Sequence, residues 1–81
     1  MAEYRFPQYR KYLNGKSYFK IMSNKEFEEV QLIGNKKIKH SIQAKILPDF
    51  NYINDMLQCL DGHWVEIEEQ EYFRITDYFP R

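Results

Sequence analysis

Lys37-Ile38-Lys39-His40-Ser41-Ile42-Gln43-Ala44-Lys45-Ile46 alternates without a break. Ile38, His40, Ile42, Ala44 and Ile46 fall on one side and Lys37, Lys39, Ser41, Gln43 and Lys45 on the other, and a period of two over ten residues is that of a β-strand. One apolar face and one basic, polar face describe a strand in an antiparallel sheet with one side in water. This reading puts Ile42 and Ile46 in the core and Lys39 and Lys45 in solvent. On the apolar face His40 reads as a neutral, hydrogen-bonded core histidine.

Upstream, Asn14-Gly15 separates Tyr9–Leu13 from Lys16–Met22, and both central residues tolerate positive φ, so a type I′ hairpin is expected. In its register Leu13 faces Lys16, Tyr12 faces Ser17, Lys11 faces Tyr18 and Arg10 faces Phe19. Tyr12, Phe19 and Ile21 then share the core side. Ser23-Asn24-Lys25-Glu26 matches a capping box, Phe27, Val30 and Gln31 follow at helical spacing, and Gly34 stands where a helix would be capped. A helix is favoured there, although Val30 to Ile33 would also suit a strand.

Downstream, Pro48-Asp49 reads as a turn. Residues 50–58 admit two readings: Phe50, Ile53, Met56, Leu57 and Leu60 recur at helical spacing, while Tyr52-Ile53 is strand-prone. The short turn tips the balance to a strand pairing back on 37–46. Asp61-Gly62 is a second turn signal, Trp64-Val65-Glu66-Ile67 a short strand, and Glu68, Glu69 and Glu71 the acidic start of a terminal helix that aligns Tyr72, Ile75 and Phe79, with Pro80 after it.

These elements predict an α+β fold: one small domain over residues 1–81, an antiparallel sheet of four or five strands, and one or two short helices. Leu, Ile, Val and Phe make up 21 of 81 residues, enough to fold. So short a chain has one modest core and little stability to spend on a strained active site, which disfavours an enzyme. Phe, Tyr, Met, Ile, Asn and Lys number 37 against 12 for Gly, Ala, Arg and Pro, a skew that indicates AT-rich codons and a bacterial source.

The net charge is zero, but its distribution is uneven. Residues 1–45 carry ten basic and four acidic side chains, and residues 46–81 carry two and eight. Separate patches of opposite sign would follow unless strands from the two halves pair and cancel them. No stretch is apolar enough to span a bilayer, and Met1-Ala2-Glu3-Tyr4-Arg5 does not begin a secretory signal. With a single cysteine, a reducing, cytoplasmic setting and no membrane partner are expected.

Few side chains form a chemical constellation. Cys59, Asp61 and His63 alternate and are all metal-ligating types, yet a structural zinc site needs four ligands and the other histidine is His40. Cys59 lacks the surroundings of an activated thiolate and reads as a small buried hydrophobe. The glutamates of 66–71 read as a solvated helix start rather than an acid–base pair. The three glycines are too scattered for a phosphate loop. No catalytic residue, metal ligand or cofactor is therefore assigned.

Six of the first nineteen residues are aromatic and are interleaved with Arg5, Arg10, Lys11 and Lys16, the combination that binds single-stranded nucleic acid. A small core short of Leu and Val needs the same rings for packing. The first expectation is thus a non-enzymatic protein-interaction module with an unidentified protein partner, and the alternative a single-stranded nucleic-acid binder built on the basic-aromatic hairpin. The candidate interaction surface is Tyr9, Arg10, Lys11, Tyr18, Lys37, Lys39 and Lys45.

Overall fold

A computed structural model of the chain describes residues 4–76. The elements are β1 (Gln8–Tyr12), β2 (Ser17–Ser23), β3 (Glu26–Ile33), β4 (Lys36–Gln43), α1 (Leu47–Gln58), β5 (Trp64–Ile67) and α2 (Glu69–Thr76). The strands form one antiparallel sheet in the order β4-β3-β2-β1-β5. The α+β class, the five-stranded sheet and the two helices match the expectation from the sequence. Phe79 and Pro80 lie outside the described residues.

The helices cover opposite faces. Phe19, Ile21, Phe27 and Trp64 point to the face packed by Ile53, Met56 and Leu57 of α1, whereas Tyr9, Tyr18, Val30 and Ile67 meet Tyr72 and Phe73 of α2. A strand between two such layers must be apolar on both sides, which explains why β2 buries Tyr18, Phe19 and Ile21 within four residues.

The β1–β2 register is the expected one: Arg10 opposes Phe19 and Lys11 opposes Tyr18. The turn differs. Gly15 N–H donates to the Tyr12 carbonyl at 2.8 Å and Gly15 alone takes positive φ, at 73°, while the Asn14 side chain accepts the Lys16 N–H at 2.8 Å. A type I′ turn needs positive φ at both central residues. This loop instead puts a left-handed glycine after a tight turn, the longer hairpin geometry.

Three further expectations are corrected. Residues 26–33 are a strand rather than a helix. Phe27 and Val30 are both buried, but on opposite faces, beside Ile21 and Tyr18 respectively, and burying one residue on each face of a strand reproduces helix-like spacing. Ser23 accepts the Lys25 N–H at 3.0 Å, so the capping motif serves the β2–β3 turn. Gly34, at φ 58°, leads the two-residue connection from Ile33 to Lys36, as type II′ turns favour.

Residues 50–58 are helical. Pro48 sits in the first turn of α1, where its missing N–H costs nothing, and the Asp49 carboxylate accepts the Lys45 and Ile46 N–H groups at 3.1 and 3.4 Å. The third correction concerns 37–46. It forms a strand, ended at Gln43, but at the sheet edge: Ile38 and His40 are exposed, Ile42 is half-buried and Ile46 is 61% exposed ahead of α1. Ala44 alone of that face is buried.

Candidate functional site

The seven residues expected to form one interaction surface divide into two groups. Tyr9 and Tyr18 are 6% exposed and pack under α2, and Arg10 is 2% exposed under α1. None of these three belongs to a surface, because β1 and β2 are interior strands covered on both sides. Lys11 is half-buried and its Nζ donates to the Glu71 carboxylate at 2.9 Å. That hydrogen bond is the main reason the Lys11 ammonium is held above its ordinary pKa. Lys37, Lys39 and Lys45 are exposed, the first two on β4.

Arg10 has a structural task that its sequence position does not announce. Its Nε donates to the Met56 carbonyl at 3.1 Å, one Nη to the Tyr9 carbonyl at 2.8 Å and to the Gln8 side chain at 3.1 Å, and the other Nη to the Leu57 carbonyl at 3.1 Å. Met56 and Leu57 end α1, whose last turn has no basic residue of its own. The guanidinium thus donates, from a neighbouring strand, to carbonyls at the negative end of the helix dipole. Its nearest carboxylate, Glu66, stands 3.8 Å away with a side chain 72% exposed, so hydrogen bonds carry this residue more than the ion pair does.

Cys59 follows α1 in the left-handed region at φ 52°, half-buried, and its N–H donates to the Met56 carbonyl at 3.1 Å. It is a helix terminator rather than a fully buried hydrophobe. His63 is exposed ahead of β5, and His40, also exposed, stands on β4 at the other edge of the sheet. A core role for His40 is therefore corrected.

What remains as a surface of distinct chemistry is β4 itself. Among the described residues it hydrogen-bonds to β3 alone, and seven of its eight residues are exposed, so both its side-chain faces meet solvent and its outer row of backbone groups has no strand beside it there. The register places Lys37, Lys39 and Ser41 on the α2 side of the sheet, opposite Leu32, Val30 and Glu28. Lys36, Ile38, His40 and Ile42 occupy the α1 side. Lys39 Nζ lies 3.2 Å from a Glu28 oxygen.

The charge asymmetry is partly cancelled and partly kept. Lys11 with Glu71 and Arg10 with Glu66 join basic and acidic halves through β1. The lysines of β4 lie four strands from Glu66, at the opposite edge of the sheet. Among the described residues no helix is long and apolar enough to cross a membrane. Comparison with protein-family models, with curated proteins and with solved structures finds no match for the chain.

Proposed function

We propose that the chain is a non-enzymatic protein-interaction module whose β4 edge takes an extended, acidic segment of a partner protein as a sixth strand. The observation that carries this reading is an eight-residue edge strand exposed on both faces, with three lysines in its first four residues. Strand addition draws affinity from backbone hydrogen bonds and specificity from alternating side chains. Here Lys37 and Lys39, the latter 3.2 Å from Glu28, favour carboxylates on one face, and Ile38 with half-buried Ile42, beside Lys36 and His40, favours apolar groups on the other. A partner strand alternating acidic with apolar residues satisfies both. The same lysines disfavour pairing of β4 with its own copy, because like charges facing across strands repel.

The nucleic-acid alternative draws less support, since Tyr9, Tyr18 and Arg10 sit in the interior and are not open to bases or phosphates. Titration of the isotope-labelled chain with a ten-residue Val-Glu alternating peptide tests the proposal. Backbone resonances of 36–43 should shift, binding should weaken with salt, and the triple substitution K36E/K37E/K39E should lower affinity at least about tenfold. No saturable shift up to roughly 1 mM peptide, or a stronger and steeply salt-dependent response to oligothymidylate, would overturn it.

A further inference from the structure

At the other end of the sheet lies a cleft of about 660 Å³. The end of β1, the turn after it, α1 and the start of β5 build its walls, with Tyr12, Asn14, Tyr52, His63 and Trp64 among the lining residues. Its volume falls in the range of small-ligand sites. Three of the rings lie against one another. Trp64 is 5.8 Å from Tyr12 at a 31° tilt, and 5.6 Å from Tyr52 edge to face. The His63 ring meets Trp64 edge to face at 5.9 Å. The Leu13 N–H donates to the His63 carbonyl at 3.0 Å, which ties the two loops together at the rim.

The polar groups of this cleft are unbalanced. Trp64 is 9% exposed, and its indole Nε1–H is buried with no hydrogen-bond partner among the described residues. Buried donors in folded proteins nearly always have an acceptor, and an indole can only donate. The Tyr12 and Tyr52 hydroxyls are 2.9 Å apart, so one donates to the other and the second keeps a hydrogen to give away. Burial, then the bond to Tyr12, keeps the Tyr52 phenol protonated well above its ordinary range. The Asn14 carbonyl oxygen is occupied by Lys16 N–H, leaving its amide hydrogens to donate. Among the described residues that line it, none is a carboxylate, a lysine or an arginine.

We infer that this cleft binds a small, planar, uncharged ring compound that presents a carbonyl-type acceptor to the Tyr12–Tyr52 hydroxyl pair and the Asn14 amide. The flat aromatic walls select a planar ring, the donors select an acceptor, and the aromatic, largely apolar walls disfavour strongly charged molecules. The site is independent of strand addition at β4, at the opposite sheet edge.

The chain's one tryptophan makes the test direct, because its indole N–H gives a single side-chain resonance. Benzamide is the probe, with cyclohexanecarboxamide lacking the flat ring and benzylamine replacing the acceptor by a cation. Benzamide should shift the Trp64 indole resonance and the backbone resonances of 12–14 and 62–64 saturably, with a Kd on the order of 1 mM, and both controls should bind at least about fivefold more weakly. Tyr52→Phe, which keeps the ring and removes the hydroxyl, should weaken benzamide about threefold or more while the folded spectrum persists. No saturable shift up to roughly 20 mM, shifts centred outside the cleft, or equal binding of either control overturns the inference. Should Tyr52→Phe perturb the fold, the mapping of shifts and the order of the three probes decide the outcome alone.

Discussion

β1 and β4 are built from similar residues and have opposite fates. Each carries basic side chains beside apolar or aromatic ones, yet β1 lies between β2 and β5 with a helix over each face, and β4 has a single neighbour among the described residues. Arg10 of β1 is almost wholly buried and bonded to the end of α1, whereas the lysines of β4 stand in solvent. Alternation thus reveals that a segment is a strand. Its place in the sheet depends on which elements cover it, and that is settled far along the chain, by helices starting at residues 47 and 69.

The contrast can be broken most severely at the interior. Phe19 has no exposed surface and contacts Tyr12 and Phe27, so Phe19→Ala should cost about 3–5 kcal/mol in urea unfolding. Arg10→Met removes the side-chain donor of the Leu57 carbonyl and one of the two donors to the Met56 carbonyl, and should cost about 2–4 kcal/mol. Arg10→Lys should recover only part of this, because one ammonium cannot reproduce the fork. Glu66→Gln should cost under about 1 kcal/mol if the hydrogen bonds rather than the ion pair matter. An Arg10→Met loss no larger than that of Glu66→Gln would contradict the role given to the guanidinium.

At the edge the effects shrink. Ile42, half-buried against the α1 side of the core, should lose about 1–2 kcal/mol as Ala, and exposed Ile46 or Lys39 under about 0.5. Equal losses at Ile42 and Ile46 would mean that the strand continues into the core beyond Gln43.

The interior also sets an alkaline limit. Burial first, with Glu69 for Tyr9 and the Tyr12 hydroxyl for Tyr52, raises both phenols above their ordinary 10.0, and Lys11 is raised above 10.5 by Glu71. These groups hold their protons in the fold after the unfolded chain has released them. Their stabilisation is therefore complete below pH 10 and falls as pH rises beyond it. The thermal midpoint should be flat from about pH 7 to 9 and drop above about 10, and Tyr52→Phe should soften that drop.

Much of this was legible in the sequence. The β1–β2 register followed from Asn14-Gly15, β5 from Trp64 to Ile67, and the start of α2 from its glutamates. The failures share a cause. Phe27 and Val30 imitate a helix because β3 is covered on both faces, and Ile38 and Ile46 imitate a core face although both are exposed. The expected surface fails at Tyr9, Arg10 and Tyr18 for the same reason: nothing local to β1 and β2 marks the two layers that cover them, which come from helices distant in sequence. The cleft was hidden because Tyr12, Tyr52 and Trp64 come from three distant segments.

Native-state amide hydrogen exchange tests the difference between the two strands most directly. Amides of β1 and β2 should exchange only through global unfolding, while in β4 every second amide, the one facing away from β3, should exchange orders of magnitude faster. Uniform protection along 36–43, equal to that of β1, would show that β4 is not an open edge and would contradict the account.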